Sequence, residues 1–159
     1  MFTIFDPNTN RFDVQIGNKE TKTPYKDLWV TLTTADNKIK IYRTDRDGNV
    51  LRGKLALDDG KMYYLADGTG YEYGALSFGW IYDPIYKHWY YSSSQTGTLV
   101  TGWQTVDGKD YYFLYPGAAT SVNEYIDQYG MMLSNTAVDG YYLEENGARI
   151  ADKPLVVAE

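Results

Sequence analysis

Gly79-Trp80, Trp89-Tyr90-Tyr91, Gly97, Gly102-Trp103 and Asp110-Tyr111-Tyr112-Phe113 follow one another within a single stretch, Gly79 to Phe113. A Gly-Trp pair, a polar turn, an aromatic triplet and a turn glycine occur, and most of the pattern then starts again. Trp80 and Trp103 are 23 positions apart. Repetition at such a period is the signature of small units stacked along a line. Three of the four tryptophans of the chain lie in this stretch, so the function of its aromatic faces is the central question.

Similar units extend in both directions. Upstream, Asp47-Gly48 marks a turn, Gly53 stands where later units carry Gly-Trp, and Asp58-Asp59-Gly60 precedes Met62-Tyr63-Tyr64-Leu65. Asp and Gly tolerate positive φ and so favour tight hairpin turns. Downstream, Asp107-Gly108 separates Trp103 from Tyr111-Tyr112-Phe113. Tyr125 to Met132 reads as a shortened unit, and Asp139-Gly140-Tyr141-Tyr142-Leu143 with Gly147 as the last. Ala151 to Glu159 reads as a closing tail. Each unit is strand, turn, strand. A lone two-stranded hairpin is at best marginal in water, and stacking lets each hairpin bury an aromatic face on the next. Within a strand, Trp89 and Tyr91 point to one side and Tyr90 to the other.

Residues 1–46 differ. Phe2-Thr3-Ile4-Phe5, the turn Asp6-Pro7-Asn8-Thr9-Asn10, and alternating Phe12, Val14 and Ile16 predict a hairpin closing at Gly17. Leu28, Val30 and Leu32 alternate with Trp29, Thr31 and Thr33. After Asp36-Asn37, Ile39-Lys40-Ile41-Tyr42 makes another strand. No segment has a helical period. The reading is all-β: a short solenoid of stacked β-hairpins over 47–154, a small β region over 1–46, and a tail at 155–159.

The composition supports this. Aromatics make up 16% of 159 residues and tyrosine alone contributes 17, which suits sheets with half-exposed rings. A net charge of −6 argues against nucleic acid, which demands basic surface. There are no cysteines, and His88, the one histidine, cannot build a zinc site alone. No metal and no cofactor are expected; Asp45-Arg46-Asp47-Gly48-Asn49 lacks the rest of a calcium loop. No apolar run approaches the ~20 residues needed to span a bilayer. The N-terminus lacks a basic stretch and an apolar run, so either the protein is not exported by a standard signal or the signal has been removed. One His and no Cys leave no Ser-His-Asp or Cys-His set, and a non-repeat part of about 46 residues is small for an active-site scaffold. Trp29 is expected in the core and His88 beside Trp89 at the surface. Met131-Met132 is expected as packing.

The motifs from Asp47 to Pro154 resemble the choline-binding repeats of Gram-positive cell-surface proteins and the related repeats of glucan-binding proteins and clostridial toxins. Thr101-Gly102-Trp103-Gln104 through Asp107-Gly108-Lys109 to Tyr111-Tyr112-Phe113 is similar to the toxin version. Gly130-Met131-Met132-Leu133-Ser134-Asn135 with Asp139-Gly140-Tyr141-Tyr142-Leu143 is similar to the final hairpins of a choline-binding amidase. The resemblance implies ligand sites between consecutive hairpins. In each, two tryptophans of one repeat and an aromatic of the next box a quaternary ammonium, and a methionine sometimes completes the box. It points first to Trp80 and Trp89 closed by Tyr112. A second, weaker set is Trp103 with Tyr111 or Tyr112, Tyr125 or Tyr142, and Met132, with Asp110 at the position of its second tryptophan. Lys54 and Met62 hold both tryptophan positions of the first repeat, where a lysine at the mouth would repel a cation.

The resemblance implies a non-catalytic module that binds choline-bearing teichoic acid at a bacterial surface. A phage origin is compatible with the missing signal, and the C-terminal hairpin is a candidate for homodimerisation. Three other readings stand beside this one: a carbohydrate-binding repeat, the targeting part of a cell-wall hydrolase or phage protein, and an assembly protein whose aromatic faces join chains.

Overall fold

The computed structural model describes residues 2–6, 11–57, 59–68, 70–117 and 125–154. Among these every regular element except a 3-10 turn at Gly70–Glu72 is a strand. They are β1 (Phe2–Asp6), β2 (Arg11–Gln15), β3 (Trp29–Thr33), β4 (Ile39–Arg43), β5 (Gly53–Ala56), β6 (Met62–Asp67), β7 (Tyr73–Leu76), β8 (Gly79–Asp83), β9 (His88–Ser92), β10 (Gly102–Val106), β11 (Lys109–Phe113), β12 (Ala137–Val138), β13 (Tyr141–Leu143) and β14 (Arg149–Pro154). They pair in small sheets: β1-β2, β3-β4, β5-β6-β7, β8-β9, β10-β11 and β12-β13-β14. The all-β hairpin reading therefore stands. The turn residues Pro7 to Asn10, the turn residue Asp58 and the tail 155–159 lie outside the described residues.

The chain divides into two compact units, residues 1–55 with 64–77, and residues 56–63 with 78–159. This is not the boundary drawn at 46/47. The reason is local pairing: the Val50 amide donates to the Val14 carbonyl, the Leu51 amide to the Arg43 carbonyl, and Gln15 bridges Asn49. Val50 then packs with Ile16, Tyr42 and Ala75 in the core of the first unit, with Val14, Val30, Leu32 and Tyr73 around them. The strand β7 that brings Ala75 there had no forecast in the sequence. Asp45 caps a turn: its Oδ1 accepts from the Asp47 and Asn49 amides. Trp29 is not core. It sits on the exposed face of β3, with the Arg43 guanidinium over its ring.

In the second unit the hairpins repeat one wiring pattern. After β9 the chain returns, and the Leu99 amide donates to the Met62 carbonyl while Ser92 bridges Leu99. After β11 it returns again, and the Met132 amide donates to the Trp89 carbonyl while Phe113 bridges Met132. Met62 and Trp89 thus occupy equivalent places, as the aligned repeats imply. The turn between β10 and β11 is Asp107-Gly108, both at positive φ (51° and 79°), which matches the twist of a two-residue hairpin turn.

Two expectations are corrected. Tyr125 to Met132 is not a shortened hairpin. It is a run of turns and a link lying along β11, with the Gly130 amide donating to Leu114 and the Leu114 amide to Met131. Ala151 to Pro154 is not tail but part of β14, paired with β13.

Candidate aromatic binding site

The register of β8 and β9 sets the site. Trp80 stands opposite Tyr91, and Tyr82 opposite Trp89. By the two-residue period of a strand, these four rings share one face of the hairpin and Ile81, Asp83, Tyr90 and Ser92 the other. Burial follows the same division: Ile81, Asp83, Tyr90 and Ser92 are buried, while Trp80 is 37% exposed, Trp89 44% and Tyr82 48%. The buried face anchors the hairpin and leaves Tyr82, Trp89 and part of Trp80 exposed on the other.

Buried Asp83 shapes the end of the hairpin. Its Oδ1 accepts from the amides of Ile85 (2.7 Å) and Tyr86 (3.2 Å), and its carbonyl accepts from Lys87 (2.7 Å). Those bonds fold Pro84 to Lys87 into a compact turn and keep Tyr82 against Trp89, with ring centroids 5.2 Å apart.

The next hairpin closes the cluster. Tyr111 and Phe113, two residues apart on β11, both reach Trp80, at centroid distances of 4.8 Å and 5.9 Å. Trp80 also meets Trp89 edge-on at 6.3 Å and Tyr91 at 5.2 Å. The tyrosine of β11 that meets Trp80 is therefore Tyr111 and not Tyr112. Tyr112 faces the other way, opposite Trp103 in the β10-β11 register, 5.3 Å from its ring. The alternation that separates Tyr90 from Trp89 and Tyr91 separates Tyr112 from Tyr111 and Phe113, so this correction was available in the sequence.

The second candidate set is rearranged more. Trp103 packs on Tyr112 and on Tyr141 of the last hairpin, at 6.2 Å, and its indole N–H donates to Asp139 Oδ2 at 2.8 Å. The ring partners of Trp103 are thus Tyr112 and Tyr141, where Tyr125 and Tyr142 were expected; Tyr142 stands opposite Ala137, on the other face of β13 from Tyr141. The Met132 side chain lies over Gly147, where a Cβ would come within 2.4 Å of its sulfur. Asp110 takes the place held by Trp89 in the preceding hairpin; it accepts from Thr105 Oγ1 (2.6 Å) and meets Arg149 Nη1 at 3.5 Å. In the first repeat Lys54 is not at a mouth: it is buried, as is Met62. His88, next to Trp89 in the chain, meets the Tyr90 ring edge-on at 6.4 Å.

No cluster of three or more His, Cys, Asp or Glu among the described residues could hold a metal, and no helix is long and apolar enough to cross a membrane.

No protein-family model matches the chain. The chain is 37% identical over 79 residues to a glucosyltransferase-S of Streptococcus mutans, a match covering 49% of this chain and 5% of that protein. Among solved structures it is similar to the modular autolysin LytC of Streptococcus pneumoniae, with TM-score 0.56 and 25% identity over 95% of this chain and 28% of that one. It shares the fold of choline binding protein F of the same species, with TM-score 0.52 and 24% identity over 93% of this chain and 47% of that one. The chain thus spans less than half the length of each of these proteins. By its series of small antiparallel hairpins the chain has a fold of the choline-binding-repeat type, similar to these structures and in line with the sequence resemblance.

Proposed function

We propose that this chain is a non-catalytic cell-wall-binding module that recognises choline residues of teichoic acid at a bacterial surface. The site is the face formed by Trp80, Trp89 and Tyr111, with Tyr82 at its margin. The observation that carries this reading is the edge-on pair Trp80–Trp89 met by Tyr111 from the following hairpin. A trimethylammonium donates no ordinary hydrogen bond, so one carboxylate recognises it poorly. Ring faces on several sides offer cation–π attraction and apolar contact together. The acidic balance of the chain favours a cation over a polyanion. The fold shared with choline binding protein F supports the same ligand class.

The test is a titration with choline chloride, followed by tryptophan fluorescence and by melting temperature. A ligand bound only to the folded chain must raise stability with concentration. Both signals are expected to saturate in the millimolar range, about −4 kcal/mol for a single cage, and Trp80→Ala removes both. No response up to tens of millimolar (about tenfold above that range) sinks the reading.

A second reading is favoured by the match to the glucosyltransferase: exposed rings also stack on sugar faces, and the ligand is then a glucan. Isomalto-oligosaccharides in the same titration separate the two. Placement within a longer hydrolase or phage protein fits the short span of the matches. Self-association would use β14, an edge strand of the last sheet, and sedimentation tests it.

A further inference from the structure

Three arginines share one arrangement. Arg43 stands with Cζ 5.7 Å from the Trp29 ring centroid and pairs with Asp27 at 2.7 Å. Arg52 stands 5.4 Å from Tyr73 and pairs with Asp67 at 3.0 Å. Arg149 stands 4.1 Å from Tyr141 and meets Asp110 at 3.5 Å. Each is a cation on a ring face with a carboxylate at its edge. Among the described residues no cationic side chain covers the rings of Trp80 or Trp89 in this way.

The Arg149 case falls where the repeats place a second ligand site. Trp103, Tyr112 and Tyr141 supply the rings, and Asp139 fixes the Trp103 indole through its N–H. The difference from the first site is Asp110 in the place of Trp89. That exchange changes which cation the site prefers. A quaternary ammonium can use the remaining ring faces and the charge of Asp110 but gains nothing from its hydrogen-bond acceptors. A guanidinium has both a flat face to lay on a ring and N–H donors to give a carboxylate. Arg149, one strand away on β14, meets both demands.

We propose that Arg149 is the resident cation of a second aromatic site built from Trp103, Tyr112, Tyr141 and Asp110. The native chain then offers one open quaternary-ammonium site, and loss of Arg149 opens another. The tethered guanidinium competes at an effective concentration in the millimolar range or above, roughly, so a free cation of millimolar affinity does not displace it. With Arg149 gone, the rings and the Asp110 charge remain and suit an added cation.

The ligand class rests on the reading of the first site, but the two can fail separately. The probe is tetramethylammonium chloride, and the readout is the set of indole N–H resonances of the intact chain. In the native chain the Trp80 and Trp89 signals move with ligand while Trp103 stays in place. In Arg149→Ala and Arg149→Gln the Trp103 signal also moves and saturates, within about tenfold of the ligand concentration that saturates the first site. In Arg149→Lys it moves less than in either. A second measurement needs no variant: the Arg149 side-chain protons of the native chain are displaced upfield by the Tyr141 ring. Unshifted Arg149 protons, a Trp103 signal that moves in the native chain, or one that stays still in folded Arg149→Ala, each overturn the proposal. Movement of Trp103 in the variant without movement of Trp80 and Trp89 sustains it and defeats the first cage instead.

Discussion

Trp80→Ala and Trp89→Ala provide an experiment in which packing and ligand contact come apart. The two side chains are similarly exposed, 37% and 44%, so the area terms lost on truncation are close. Their ring contacts are not. Trp80 meets Trp89, Tyr91, Tyr111 and Phe113, whereas Trp89 meets Trp80 and Tyr82. Each such pair adds about 0.5–1.5 kcal/mol beyond area. Two further pairs make Trp80→Ala the costlier change by about 1–3 kcal/mol. At this chain length one kcal/mol moves the melting temperature by about 2–4 °C, so the two variants should differ by roughly 2–12 °C. Both should lose choline binding, because each removes a wall of the same box. Scanning calorimetry and a choline titration on both variants test this together. Equal destabilisation by Trp89→Ala, or choline binding retained by it, refutes the assignment of Trp89 as a ligand wall with little packing duty.

Two further outcomes follow from particular residues. Gly147→Ala should cost about 1–3 kcal/mol, because Gly147 has φ +87° and its new Cβ would meet Met132 Sδ at 2.4 Å; Gly108→Ala, strained by φ alone with open space around it, should cost less. Urea unfolding of the two variants checks the order. Tyr42, fully buried with its hydroxyl donated to the Tyr71 carbonyl, has its pKa raised to about 12 by burial first and by Glu72 and Tyr71 after it. The folded state then holds the phenol proton more tightly than the unfolded chain. This stability is fully present below pH 10 and is lost as pH rises through 12. The loss amounts to about 2–3 kcal/mol. Tyr42→Phe should be less stable by about 1 kcal/mol at neutral pH and show less of this alkaline loss.

Most of the hairpins were legible because their signals are local. Asp107-Gly108 and Asp139-Gly140 dictate tight turns, and both sit at positive φ in the structure. Alternation in Phe12 to Ile16 and Ile39 to Tyr42 marks strands that the structure contains. Strand β7 was not legible: Tyr73-Gly74-Ala75-Leu76 has weak alternation and becomes a strand by pairing with β6. Nor was the link Tyr125 to Met132, whose aromatics imitate a repeat while its backbone bonds go to Leu114 and Trp89. Trp29 misled for a simple reason. A large ring suggests a core, but Trp29 stands opposite Arg43 on the face away from Val30 and Leu32. Of the proposed site, the pair Trp80–Trp89 could be read from the repeat, and the contact of Tyr111 rather than Tyr112 with Trp80 from parity along β11. The Arg149–Tyr141–Asp110 contact could not, since it joins residues 39 positions apart with no motif to announce it.

The most direct test of the aromatic box is a nuclear Overhauser experiment on the intact chain with choline. Contacts from the choline methyl protons to Trp80, Trp89 and Tyr111, and none to Trp103, are the result expected. Methyl contacts that centre on Trp103 and Tyr141, or that are absent from Trp80 while choline still binds, would contradict it.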